Sequence, residues 1–139
     1  MKRFLAILLV LIIFPKMSTY AEVTEYDEIP YLQKMHATAY VGPSDYTYSG
    51  KHVREGLAAA NKKHLGQTAI VYQRLPGNKV GEVIGIYEIE DTGNTKGIID
   101  DNVIDIWCND LDNCQLLMDR VYENGCQGKV FVQFLEAEG

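Results

Sequence analysis

The sequence is short of the residues that most often advertise a chemistry. Its 139 residues include only three cysteines (Cys108, Cys114 and Cys126), three histidines, four prolines and one tryptophan, Trp107. Three cysteines allow one intramolecular disulfide at most and leave a thiol over, so a disulfide scaffold is excluded and the core must carry the stability. No group of His and Cys has zinc spacing, because the segment CNDLDNC at 108–114 lacks a matching second pair. Neither a metal nor a cofactor is expected. Positive charge is scarce too, with thirteen Lys and Arg against nineteen Asp and Glu. So acidic a chain is a poor partner for nucleic acid, which rewards clustered cations, and for an anionic membrane surface.

Long apolar runs are also missing. The run Phe4–Phe14 is eleven residues, short of the ~20 a spanning helix needs, so no stable membrane anchor is expected. Lys2 and Arg3 precede this run, and small and polar residues follow it with a cut site after Ala21. That is the layout of a secretory signal peptide over 1–21 and implies an extracellular or cell-envelope location. Residues 1–21 hold three of the cations and no acid, which leaves ten against nineteen and a net charge of −9 for residues 22–139. A chain of that length suits one domain, burying roughly two thirds of its unfolded surface.

Residues 22–35 are acidic and broken by Pro30, and read as a linker or loosely docked arm. The domain proper is expected over 36–139. HATAY (36–40) reads as a short strand, and 41–56 as a long loop rich in Gly, Ser and Tyr. GLAAANKKHLG (56–66) is compact, with one helical turn before Gly66. QTAIVYQRL, VIGIYEIE, VIDIW and KVFVQFLEA read as strands from their β-branched and aromatic residues, with PGNKVGE as a turn. DLDNCQLLMDRVYENG (110–125) is the clearest helix. Asp112 and Gln115 resemble a capping box, Cys114, Leu117 and Val121 share a face, and Asn124-Gly125 supplies a left-handed stop. Helical rise holds Cys114 and Cys126 ~15 Å apart, so either Cys108 pairs with Cys126 or the thiols are free. About six short strands and one late helix make a small closed barrel the natural architecture.

Chemistry concentrates in YEIEDTGNTKGIIDDNVIDIW (87–107). Strict alternation along 83–91 would put Val83, Tyr87, Ile89 and Asp91 on one face and Glu88 and Glu90 on the other. Asp91 would then be partly desolvated, which raises a carboxyl pKa. Asp105 lies between Ile104 and Ile106, where a lone carboxylate is expensive without partners. Two carboxylates at strand ends, joined by a loop containing Gly93 and Gly97, could converge on one acid/base site. The plainer alternative is a set of solvated turns. Asp-Thr-Gly also occurs in aspartic proteases, but that site needs two such aspartates. Here one chain offers a single copy, preceded by Glu90 and followed by Asn94, so a homodimer would be required.

Taken in order, ATAY (37–40), VREGLAAA (53–60), LGQTAIVY (65–72), EDTGNTKG (90–97) and VIDIW (103–107) resemble the three-aspartate domain of cell-wall lytic enzymes. These are double-psi β-barrels related to membrane-bound lytic transglycosylase A and rare lipoprotein A, and the resemblance runs from about His36 to Trp107. It implies cleavage of the β-1,4 bond of peptidoglycan glycan strands, the sugar's own 6-hydroxyl attacking to give a 1,6-anhydro product. By position Asp105 matches the acid/base aspartate and Asp91 its supporting partner. The family's first aspartate, a histidine in the rare lipoprotein A branch, should follow the Ala-Ala segment. Asn61 stands there, or Ala59 or His64 if the gap is set differently. Asn61 hydrogen-bonds but carries no charge, and the Asp91–Asp105 spacing is longer than the family pattern. Asn61 and Thr92 are expected at the rim, with Tyr40, Tyr46 and Tyr48 as candidates to hold sugar rings. A non-catalytic barrel that binds glycan or a protein partner is the alternative. Oligomeric state is not legible.

Overall fold

The structure, a computed structural model, describes residues 24–25, 31–42 and 46–137. The expected signal peptide, 1–21, lies outside the described residues. No helix among them is long and apolar enough to cross a membrane.

The fold is mainly β. Its strands are β1 (Thr24–Glu25), β2 (Leu32–Tyr40), β3 (Leu57–Ala59), β4 (Thr68–Leu75), β5 (Lys79–Asp91), β6 (Val103–Trp107) and β7 (Lys129–Leu135). A one-turn helix α1 (Lys96–Ile99) precedes β6, and the longer helix α2 (Leu111–Tyr122) follows it. Six strands close into a ring in the order β2-β6-β3-β5-β4-β7 and back to β2, while β1 lies along the start of β5. The pairs β2–β6 and β3–β5 are parallel, and the other four contacts of the ring are antiparallel.

Alternation drives most of this. Along β2, Met35 and Ala37 point inward, and along β6 so do Ile104 and Ile106. They meet Ala58, Val71, Ile89, Val130 and Val132 in one core cluster. Each fully buried aliphatic side chain contributes roughly 1.5–3 kcal/mol. A smaller cluster of Leu32, Val80 and Phe131, with Tyr72 against it, covers another face. Helix α2 seats Val121, Leu117 and Met118 on the main cluster. Arg120 fastens it to β5 by donating to the carbonyls of Ile84 and Val83, at 3.0 and 2.9 Å.

Several expectations shift. The first long strand begins at Leu32, not His36. Leu32 and Met35 are buried and residues 32–35 pair with β7, so they belong to the barrel and not to the acidic arm. The segment 57–59 is a strand, because Ala58 and Ala59 fit between β5 and β6, and the helical turn is confined to Lys62–His64. The cap of α2 is Asp110, which accepts from the Asn113 amide at 2.8 Å. Asp112 lies one residue inside the helix, and Gln115 bonds forward to Asp119. The left-handed stop is as expected, with Asn124 at φ 56° and Gly125 at φ 78°. The cysteines are all free thiols. The neighbour of the Cys108 thiol is Cys114, which the first turn of α2 folds back towards it, rather than Cys126. Burial first, then the Cys114 thiol, pushes the Cys108 pKa up to about 12.

Candidate functional site

Strand β5 does not keep the strict alternation expected of it. Ala58 pairs with Ile89 but Ala59 pairs with Asp91, so Glu90 is an extra residue on β5, a β-bulge. The bulge changes the side on which Asp91 emerges. Ile89 points into the core, fully buried, and without the bulge Asp91 would follow it inward. With the bulge, Asp91 shares the outer face with Ala59. Further shifts against β4 leave Val83 exposed, contrary to the strict alternation. Glu90 is itself buried and needs partners. Ser49 donates to it at 2.6 Å and Lys51 at 2.8 Å. That brace holds the turn 47–50 against the end of β5.

The same face carries the second carboxylate. Ala59 also pairs with Asp105 on β6, and Asp105 pairs with Thr38 on β2. Asp91, Ala59, Asp105 and Thr38 therefore stand abreast on four neighbouring strands. The two aspartates are two interstrand spacings apart, ~10 Å between backbones, with Ala59 on the strand between them. Both parallel pairs of the ring take part in this alignment.

The two carboxylates have different surroundings. Asp91 accepts three hydrogen bonds, from the Tyr40 hydroxyl at 3.1 Å, the Tyr48 amide at 3.0 Å and the Thr92 amide at 3.0 Å. Asp105 accepts from the Thr38 hydroxyl at 2.7 Å. Burial raises its pKa, the Thr38 bond opposes the rise, and the charge of Asp91 adds to it. The Tyr40 phenol is pushed well above its usual range by burial, by the charge and bond of Asp91, and by the charge of Asp105. The arrangement is one carboxylate ringed by three donors, a second inclined to keep its proton, and a phenol that stays a donor.

Of the expected rim and sugar-holding residues, Asn61, Thr92 and Tyr48 come together with Lys62, Asn94 and Ile99 around a cavity of about 290 Å³ beside Asp91. The Lys62 ammonium lies 5.0 Å from the centre of the Tyr48 ring. The Asn61 side chain serves the backbone. Its amide donates to the carbonyls of Ile98 and Ile99 at 3.1 and 2.9 Å, and its oxygen accepts from the Lys63 amide at 3.0 Å. Tyr40 sits with the carboxylates, its hydroxyl committed to Asp91. Tyr46 stands apart, exposed, its ring 4.4 Å from that of His52. Of the other two positions open for the family's first acid, Ala59 is the spacer between the aspartates. His64 is buried against Phe134 with its Nε2 2.9 Å from Asp101. Thr38 escaped the sequence reading, although it lies two residues before Tyr40 and alternation would have placed both on one face. Among the described residues no group of His, Cys, Asp and Glu is arranged to hold a metal ion.

Compared with the models of known protein families and with curated proteins, the chain matches none.

Proposed function

We propose that the six-strand ring is a double-psi β-barrel of the three-aspartate type, and that the protein is exported by its signal peptide to cleave peptidoglycan glycan strands as a lytic transglycosylase. The observation that carries this reading is the row Thr38, Asp105, Ala59, Asp91, which presents two unlike carboxylates on one face. In the proposed reaction Asp105, protonated, gives its proton to the glycosidic oxygen as the C–O bond breaks. The Asp91 carboxylate stabilises the positive charge that develops on the sugar. Asp105, now a base, takes the proton of the 6-hydroxyl as that oxygen bonds to the anomeric carbon, and the 1,6-anhydro ring closes. The usual pair of acid and nucleophile in glycosidases is relaxed because the substrate brings its own nucleophile. Tyr40 positions Asp91, and the cavity of Tyr48 and Thr92 receives an adjoining sugar.

A second reading has its own observation. Asn61, at the place of the family's first acid, is committed to the backbone on both sides of its amide, which favours a barrel that binds glycan without cutting it. One experiment separates the two. Purified chain is incubated with peptidoglycan sacculi and the soluble fraction is searched for anhydromuropeptides by mass spectrometry. Product from wild type and none from Asp105→Asn supports the enzyme. Sedimentation with sacculi without product supports the binder. Neither product nor binding removes both.

A further inference from the structure

A second cavity, of about 260 Å³, opens where β4 turns into β5, at the end of the barrel remote from the carboxylates. Strand β5 runs from Lys79 beside it to Asp91 at the other end. Arg74, Asn78, Gly125, Gln127 and Lys129 are among its lining, and none of the described lining residues is acidic. Arg74 pairs with Val80 on one side, while Lys129 opens β7 and pairs with His36. Two basic side chains therefore line one cavity in a chain whose overall charge is −6.

Arg74 is the unusual member. It is 8% exposed, and its Nε is buried without a hydrogen-bond partner among the described residues. One Nη reaches the Met35 carbonyl at a long 3.4 Å, and the guanidinium lies over the Phe131 ring, 5.6 Å from its centre. Neither Arg74 nor Lys129 enters an ion pair among the described residues. A guanidinium removed from water without a counter-charge is unfavourable, and a bound anion is the remedy that restores the balance. The local field has a second reporter. Burial, then the charges of Arg74 and Lys129, hold the His36 imidazole below its usual pKa.

We infer that this cavity is a binding site for a phosphate group, with Arg74 at its base and Lys129 at its mouth. Two cations match a phosphate dianion better than a single carboxylate, and arginine's planar fork suits phosphate oxygens. The volume admits the phosphate with a few atoms attached. The site is independent of the carboxylate row, and its failure would leave the glycan reading untouched.

The test is calorimetric titration of the full chain at low salt, in a buffer free of phosphate and sulfate, with inorganic phosphate, glycerol 3-phosphate and acetate in separate arms. Saturable phosphate binding is expected, with amide shifts in NMR spectra at Gly77, Asn78 and Gln127 and none at Asp91. Lys129→Gln should weaken binding roughly tenfold, the size of one charge-assisted bond, and Arg74→Met should abolish it. Glycerol 3-phosphate binding as well as phosphate identifies a phosphomonoester site, while binding of phosphate alone identifies the free ion. No saturable response, acetate binding as tightly as phosphate, or unchanged affinity in Lys129→Gln would each overturn the assignment. Lys129 is exposed at a strand end, so its variant reports even if Arg74→Met does not fold.

Discussion

Asp105 is the residue whose environment says most. Its folded pKa is raised, so between its unfolded and folded values the native state holds more protons than the unfolded one. Stability therefore falls as pH rises through that window. Below the unfolded value the penalty is absent, and above the folded value it is present in full. Asp105→Asn keeps the bond from Thr38 and removes the charge. We expect it to raise the urea midpoint at pH 7, to leave it unchanged at pH 3, and, under the proposed function, to abolish glycan cleavage. A variant that loses activity while gaining stability marks a group kept for chemistry. Tyr40→Phe takes one donor from the Asp91 carboxylate and should cost about 1–2 kcal/mol in urea unfolding. Asp105 was legible in the sequence because a charge between two isoleucines needs an explanation. The partnership of Tyr40 with Asp91 was not, because fifty-one positions separate them and only the ring brings β2 and β5 within reach.

At the scale of elements, local patterns located strands and the helix but missed the irregularities that aim side chains. Asp112 and Gln115 have the spacing of a capping box, yet the chain enters the helix earlier and Asp110 makes the bond. Asp110→Ala should cost about 1 kcal/mol of stability, and Asp112→Ala less than about 0.5 kcal/mol, measured by urea unfolding. The bulge at Glu90 is the more consequential irregularity, since it turns Asp91 from the core to the outer face. Burial of Glu90 would raise its pKa, but the bonds from Lys51 and Ser49 and the charge of Lys51 win and hold it below the ordinary 4.5. The brace it makes is therefore fully present above that ordinary value and is lost as pH falls through the depressed one. Amide exchange at Thr47 and Lys51 should accelerate in acid once the rate of the exchange chemistry itself is corrected for, and Glu90→Gln should produce the same loosening at pH 7.

For the molecule as a whole, stability rests on ring closure. Strand β2 joins β6 on one side and β7 on the other, and the cluster inside depends on every strand being in register. Ile104 lies fully buried in that cluster. Ile104→Ala should cost about 2–5 kcal/mol, against a total of about 5–15 kcal/mol for a domain. Calorimetry should show one cooperative transition shifted down, without a separate one for the turn 47–50. A partial transition confined to part of the ring would contradict a single closed core.

By itself the sequence determined the β character, the late helix with its left-handed stop, and the two aspartates, because alternation, Asn-Gly chemistry and a misplaced charge act over a few residues. The tertiary structure decided which face each aspartate serves, that Ala59 separates them, and that Asn61 ties loops together. It also decided that Leu32 and Met35 belong to the barrel and that Arg74 is buried without a counter-charge among the described residues. Those outcomes depend on strand register and on what lies across the ring. A one-residue bulge reverses a face, and no pattern within a single strand records its neighbour.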